Sequence, residues 1–187
     1  MAAVLLASTG CLFNLFQTAR MLGSGNVSLT VGTGVMNIAV EDNANWNLTP
    51  QARLAVGLSD KIDLGFQTGA LVPLSTGDFG WLGVKGDLKF SILDDPESFS
   101  LAMGVGGGYS VEFLNWGVFG EVLFSANTFP VFLVYQPTLP IEAEGFVIRH
   151  HVAGGVALPI SDTATVFLSV DVAGGVVSFG LALEVGF

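Results

Sequence analysis

The two histidines of the chain, His150 and His151, are adjacent and follow Arg149. Histidine titrates near neutral pH and acts as a general base when a carboxylate orients it, so His151 with Glu121 or Asp171 could support acid–base catalysis. Neighbouring residues of a strand point to opposite faces, however, so the two imidazoles cannot share a metal ion. We interpret His151 as a member of an internal polar network, and we predict no catalytic residue, cofactor or metal ion.

Outer-membrane enzymes provide an alternative interpretation of this stretch. Arg149-His150-His151 is weakly similar to the histidine-containing strand of lipid A deacylases, in which Ser-Asn follows the histidine. Here Val152-Ala153 follow, so the serine nucleophile is missing. For this reason a lipid-modifying enzyme centred on His151 is the alternative and not the main functional hypothesis.

Charged side chains are scarce and mostly acidic. They make up 12% of the 187 residues, and 16 acidic against 6 basic side chains give a net charge of −10. A nucleic-acid-binding protein needs clustered lysine and arginine, so nucleic acid is excluded as a partner. A single cysteine, Cys11, excludes an intramolecular disulfide and a cysteine-based zinc site.

The hydropathy of the chain is that of a membrane protein. Apolar residues make up 51% of the sequence, and the mean hydropathy is +0.66. The body of the sequence nevertheless lacks an uninterrupted run of the ~18–20 apolar residues that a spanning helix requires. A closed antiparallel up-and-down β-barrel in lipid is the fold class that fits both facts.

Alternation of apolar with small or polar residues is the main pattern after residue 24. It predicts strands with one apolar face, which is clearest at the end of the chain. Turn-forming residues divide the sequence into ten strands, and weak signals in the sixth and seventh leave eight as an alternative. The predicted strands are 24–40, 49–59, 61–72, 79–92, 98–110, 116–126, 128–137, 144–158, 162–173 and 176–187.

The apolar rows are predicted to face outward, because leucine, valine and phenylalanine are too numerous for the interior of such a small barrel. In the fourth strand this alternation places Leu82 outside and Trp81 inside, where Phe119 and Phe167 also lie. We expect the lumenal charges to form ion pairs, the alternative being pore-lining charges separated by water. The predicted lumenal network consists of Arg53, Asp63, Lys85, Asp87, Lys89, Glu121, Arg149, His151, Asp171 and Glu184.

Two further segments precede the predicted barrel of residues 24–187. Residues 1–10 are uncharged and signal-like, and Thr9-Gly10-Cys11 resembles the lipobox of bacterial lipoproteins, which implies lipidation of Cys11. The alternative is a plain signal with an incidental cysteine. In residues 11–23 the apolar side chains follow helical spacing, which predicts a short amphipathic helix that lies at the membrane interface or docks on the barrel.

The last strand resembles the assembly signal of Gram-negative outer-membrane β-barrel proteins, in which an aromatic final residue follows alternating apolar positions. The matching residues are Phe179, Leu181, Leu183, Val185 and Phe187. This resemblance implies outer-membrane lipids and the barrel-assembly machinery as partners, with both termini in the periplasm. We predict a structural barrel or a narrow channel for a small polar solute, the remaining alternative being a soluble lipocalin-like carrier of a hydrophobic ligand.

Overall fold

The computed structural model describes residues 13–40, 43–95, 97–110, 115–126, 128–141 and 148–187. Within these ranges the chain forms ten antiparallel strands, each paired with its neighbours in sequence. The strands are β1 (Val27–Val40), β2 (Asn43–Ser59), β3 (Ile62–Pro73), β4 (Gly80–Asp94), β5 (Phe99–Ser110), β6 (Asn115–Ala126), β7 (Val131–Pro140), β8 (Arg149–Ser161), β9 (Ala164–Ala173) and β10 (Val176–Gly186).

The sheet closes on itself because β1 pairs with β10. The pairing continues to the last residue, where the Phe187 amide donates to the Val27 carbonyl at 2.8 Å and the Phe187 carbonyl accepts from the Val27 amide at 3.2 Å. The predicted closed antiparallel barrel of ten strands is therefore confirmed. The main difference in strand limits is β2, which begins at Asn43 instead of residue 49 because its first residues pair with the end of β1.

The two ends of the barrel differ in their connections. One end contains Phe187, and there β2 is followed by β3, β4 by β5, β6 by β7 and β8 by β9; we call it the turn end. At the opposite end β1 is followed by β2, β3 by β4, β5 by β6, β7 by β8 and β9 by β10, and we call it the loop end.

The bulky apolar rows point away from the lumen. Phe179 and Leu181 of β10 are 58% and 53% exposed, whereas Lys85 of β4 is only 2% exposed. Phe119 and Phe167 lie inside, as predicted.

The predicted orientations of Trp81 and Leu82 are wrong. Trp81 is 52% exposed on the outer face, and Leu82 is buried in the lumen. The pairing of β3 with β4 shifts register at Gly69/Ala70, close to Gly83, whose φ is +131°. A bulge of this kind inserts an extra residue and reverses the faces of the residues beyond it, which simple alternation does not anticipate.

The amphipathic helix predicted over residues 11–23 is not found: residues 13–23 are described, and none of them is helical. Residues 13–22, which we call the lumenal segment, run through the inside of the barrel without regular secondary structure. Phe13, Asn14 and Leu15 are at most 2% exposed. Side chains of the barrel wall bind the backbone of this segment, so the intrahelical hydrogen bonds of a short, marginal helix are not needed. No helix among the described residues is long and apolar enough to cross a lipid bilayer.

Candidate functional site: the occupied lumen

The lumenal segment runs from the loop end to the turn end of the barrel. At the loop end, Phe13 packs in a cluster with Leu82, Ala173 and Val176, the last two of which flank the connection 174–175. At the turn end, the Leu22 amide lies 3.2 Å from a carboxylate oxygen of Asp63, close to the connection 60–61. The segment thus passes through the whole lumen before the chain enters β1.

Asn14 is the most extensively bonded residue of the lumenal segment. Its Nδ2 donates to Asp171 Oδ2 at 2.9 Å and to Ser178 Oγ at 3.0 Å. Its Oδ1 accepts from Thr49 Oγ1 at 3.3 Å, and its backbone carbonyl accepts from Gln67 Nε2 at 3.3 Å. Four strands of the wall, β2, β3, β9 and β10, therefore hold this one residue.

The Asp171 carboxylate is a second centre of hydrogen bonding and is fully buried. Besides Asn14, it accepts from the Leu15 amide at 2.9 Å and from Ser169 Oγ at 2.7 Å, and His151 Nε2 lies 3.2 Å from its Oδ1. A catalytic carboxylate must be able to orient a base beside a bound substrate. Here the protein's own donors surround the carboxylate, which favours a structural role for the His151–Asp171 pair.

Glu121 lies apart from these contacts and binds the middle of the lumenal segment. Its Oε2 accepts from Gln17 Nε2 at 3.0 Å. Two residues further along the segment, the Ala19 amide donates to Ser125 Oγ at 2.8 Å. Both contacts come from β6, so this strand aligns the central part of the segment.

Two buried ion pairs lie on the wall of β2, β3 and β4. Arg53 forms a bidentate pair with Asp87, in which Nη2 donates to Oδ2 at 2.8 Å and Nη1 donates to Oδ1. Lys89 Nζ lies 3.1 Å from Asp63 Oδ2 and also donates to the Arg20 carbonyl at 2.7 Å. The second pair therefore joins the wall to the lumenal segment.

The remaining members of the predicted network have different surroundings. Lys85 Nζ lies 4.4 Å from the ring centroid of Phe13 and 5.5 Å from that of Phe119, so it contacts aromatic faces. Glu184 accepts from Thr30 Oγ1 at 3.1 Å. Arg149 is half-buried at the start of β8, near the loop end.

Apolar side chains also fill part of the lumen. Phe16 packs on Phe167 with ring centroids 6.4 Å apart, and Phe167 packs edge-to-face on Phe132 at 5.7 Å. This cluster belongs to both the segment and the wall, and burial of the rings stabilises their association. Its buried members are Leu15, Phe16, Ala19, Ala102, Leu123, Phe132, Val134, Ala153, Phe167 and Ala182.

Glycines of the wall leave room for the lumenal segment. A Cβ atom at Gly180 would lie 2.6 Å from ring atoms of Phe16, and a Cβ atom at Gly34 would collide with the Asn14 side chain. A Cβ atom at Gly69 would lie 3.0 Å from the Phe13 ring. The small residues of the inner face thus match the positions of the larger side chains of the segment.

A cavity of about 220 Å³ remains toward the turn end of the lumen. Its lining includes Gln17, Arg20 and Leu22 of the lumenal segment, together with Lys89 and Glu184 of the wall. The mixture of both charge signs and apolar surface gives the cavity no strong preference for one ligand charge.

Other predicted residues lie elsewhere. Cys11 lies outside the described residues, so its lipidation stays a prediction. Phe179, Leu181, Leu183 and Phe187 are exposed on the outer face, and Val185 is half-buried. His150 is exposed on the outer face too, stacked on Tyr135, whose hydroxyl lies 2.7 Å from His150 Nδ1. Among the described residues no group of three or more histidine, cysteine or acidic side chains could hold a metal ion.

Sequence reasoning missed the polar residues that bind the segment, chiefly Asn14, Gln17, Gln67, Ser125 and Ser178. The available signal was the combination of a stretch without charges over residues 1–19 with glycines on the predicted lumenal face. Uncharged amide side chains can be buried when a wall supplies partners. The helical spacing of the apolar residues in 11–23 instead predicted a helix outside the lumen.

Comparison with known proteins gives a likeness of fold at low identity. No family model matches the chain, and no curated protein matches it. The N-terminal β-barrel domain of Pseudomonas aeruginosa OprF is 13% identical, with a TM-score of 0.40, and the alignment covers 88% of this chain and 99% of that one. The Acinetobacter baumannii outer-membrane protein Omp33 is 8% identical, with a TM-score of 0.41 and coverage of 90% and 100%.

Neisserial surface protein A is also 8% identical to this chain, with a TM-score of 0.42 and coverage of 87% and 98%. Similarity at this level does not transfer an activity from those proteins to this chain.

Proposed function

We propose that this chain is a structural, non-catalytic β-barrel of a Gram-negative outer membrane, whose lumen is closed by its own residues 13–22. The observation that carries the proposal is the inversion of polarity: apolar side chains cover the outside of the strands, and most of the charged side chains of the strands are buried within. The C-terminal strand would be read by the barrel-assembly machinery, with the turn end in the periplasm and the loop end outside the cell.

The exterior supports a location in lipid. Leu54 and Phe66, on β2 and β3, are 44% and 49% exposed, while Arg53 and Asp63 of the same strands are at most 8% exposed. A soluble lipocalin-like barrel has the opposite arrangement, with apolar residues inside and charges in water. Burying charges and exposing leucine stabilises a barrel only where hydrocarbon surrounds it.

Aromatic residues near the loop end support the same location. Trp81 stacks on Tyr109 with ring centroids 6.0 Å apart, and Tyr109 meets Trp116 edge-on at 5.7 Å. All three are exposed on the outer face, as is Trp46 on β2. Tryptophan and tyrosine favour the boundary between lipid and water, so these rings fit one girdle of a membrane barrel.

The filled lumen favours a structural barrel over an open channel. At the loop end, Phe13 packs with Met36 and Leu82, and these three side chains are at most 1% exposed. The cavity of about 220 Å³ lies toward the other end and is lined in part by the segment itself. A narrow channel for a small polar solute would require the segment to move.

Conductance in planar bilayers tests the closed lumen. We expect the full-length protein to insert and to give a flat current trace. Discrete conductance steps of the unmodified chain would instead support the narrow-channel function.

A substitution on the outer face tests the membrane location. Leu181 lies at the middle of β10 and is 53% exposed, so Leu181→Arg has almost no effect in water but costs about 2–4 kcal/mol at the centre of a bilayer. We expect this variant to fold poorly into vesicles, whereas the control Asp162→Arg, in the exposed connection 162–163, folds like the parent. Equal folding of both variants would contradict the proposal.

A further inference from the structure

We infer that the lumen is a binding channel for an extended polypeptide, occupied here by residues 13–22, and that this segment enters the barrel at the loop end. Phe13 and Phe187 then lie on opposite sides of the membrane. The binding channel stands on the geometry of the barrel alone, whereas the opposite sides of the membrane rest on the proposed membrane location.

The length of the lumenal segment matches the thickness of a membrane. Ten extended residues reach about 33 Å, close to the ~30 Å of a hydrocarbon core, whereas the same residues in a helix would reach only about 15 Å. The contacts agree with this reach, since Phe13 belongs to the loop-end cluster that includes Ala173 and Val176, and the Leu22 amide binds Asp63 at the turn end. The segment therefore crosses the barrel once, in one direction.

The wall recognises the peptide backbone of the segment. Three backbone amides, those of Leu15, Ala19 and Leu22, donate to side chains of Asp171, Ser125 and Asp63.

Three backbone carbonyls of the segment, those of Asn14, Thr18 and Arg20, accept from Gln67 or Lys89. Leaving a backbone amide or carbonyl unpaired away from water is unfavourable, so an extended chain inside the barrel needs such partners from the wall. The chemical class that fits the lumen is thus an extended peptide.

Glycines of the barrel wall lie opposite two large side chains of the segment. Gly34 lies beneath Asn14 and Gly180 beneath Phe16, at distances that leave no space for a Cβ atom. At each of these positions the wall is shaped for the particular side chain of the segment. This match indicates a fixed register of the segment in the lumen.

The direction of the segment determines at which end of the barrel its first residue lies. Val27 and Phe187 pair with one another at the turn end, as the ends of an even-stranded barrel must. Since residues 13–22 run back through the lumen before β1 begins, Phe13 lies at the end of the barrel opposite Phe187. This inference departs from the expectation that both termini share one side.

Cross-linking in the purified full-length protein tests the path of the segment. In a Cys11→Ser background, Leu12→Cys is combined either with Asp78→Cys, in the loop-end connection 74–79, or with Asp60→Cys, in the turn-end connection 60–61. A bismaleimide of about 15 Å span cannot bridge the two ends of a barrel about 30 Å long. We expect cross-linking with the Asp78→Cys partner, whereas cross-linking with the Asp60→Cys partner would overturn the inference.

Thiol accessibility in cells tests the crossing of the membrane. The single-cysteine variants Leu12→Cys, Asp78→Cys and Asp60→Cys, each with Cys11→Ser, are exposed to a polyethylene-glycol maleimide that is too large to cross an intact outer membrane. We expect the first two to react on intact cells and the third only after permeabilisation. If Leu12→Cys reacts only after permeabilisation, as Asp60→Cys is expected to, the inference is overturned. Identical behaviour of Asp78→Cys and Asp60→Cys would instead contradict the proposed membrane location, and the cross-link would still decide the path.

Discussion

Asn14 Nδ2 donates a hydrogen bond of 2.9 Å to Asp171 Oδ2, which joins two residues 157 positions apart in the sequence. The bond links the start of the lumenal segment to β9, near the loop end of the barrel. The same carboxylate also contacts His151 and the backbone of Leu15. The segment and the wall therefore share one buried polar network, and each contributes to the stability of the other.

Replacing the shared carboxylate should destabilise the barrel. Asp171→Asn keeps the size of the side chain but turns one oxygen into an amide nitrogen, which then faces donors instead of accepting from them. Leaving such groups unpaired in a buried site costs about 2–4 kcal/mol of unfolding free energy. Urea unfolding in lipid vesicles measures the loss, and Asp162→Asn in an exposed turn serves as the matched control. Equal stability of the two variants would contradict the role of Asp171.

Filling the space beneath Phe16 should displace the lumenal segment. In Gly180→Ala the new Cβ atom would lie 2.6 Å from the ring of Phe16, and overpacking of this kind costs about 1–3 kcal/mol. We expect a lower unfolding temperature and faster proteolysis between residues 13 and 22. The control is Gly120→Ala, where the nearest atoms lie 3.9 Å away. Adding Phe16→Leu to Gly180→Ala should restore part of the loss, and a failure to do so would place the strain elsewhere.

The barrel could be predicted from the sequence because its determinants are local. Phe179, Leu181 and Leu183 alternate with small residues within a single strand, and a period of two has only one regular structural solution. The same alternation separated Arg53 and Asp87 from the outward-facing apolar rows. It did not indicate which acid each base would bind, because that depends on register between strands that the sequence does not state.

The lumenal segment could not be predicted because its conformation depends on distant residues. Leu15, Phe16 and Ala19 have helical spacing, yet the wall supplies the backbone partners that a helix would supply internally. Trp81 was misplaced for a related reason, since a bulge near Gly83 reverses the alternation. In both cases tertiary contacts override the local pattern.

Replacing only Arg53 of the bidentate pair Arg53–Asp87 should lower the unfolding free energy more than replacing both residues. Arg53→Met leaves the Asp87 carboxylate buried without its partner, which costs about 3–5 kcal/mol, whereas the double variant with Asp87→Leu leaves no uncompensated charge. We expect the double variant to be more stable than Arg53→Met in unfolding experiments. The exposed substitution Lys61→Met controls for loss of a positive charge. A double variant no more stable than Arg53→Met would contradict this expectation.

The final aromatic residue should matter for assembly more than for stability. Phe187 is 75% exposed, so Phe187→Ser loses little packing. We expect it to reduce the amount of folded barrel in the outer membrane of expressing cells, while refolding of the purified protein in detergent changes little. Phe129→Ser is the matched control because Phe129 is 74% exposed in the turn-end connection 127–130. Equal loss for both variants would indicate a general effect of hydrophobicity and not an assembly signal.

Removing the lumenal segment should open the barrel. A variant that lacks residues 1–22 loses Phe13 at the loop end and Phe16 near Phe167, so water can enter a lumen whose wall carries paired charges. We expect conductance steps in planar bilayers, whereas a variant that lacks only residues 1–12 keeps the segment and stays closed. A synthetic peptide of residues 12–23 should reduce the current, because the lumenal side chains bind an extended backbone. If the variant that lacks residues 1–22 inserts and its current trace stays flat, the wall cluster of Leu123, Phe132 and Val134 closes the lumen without the segment.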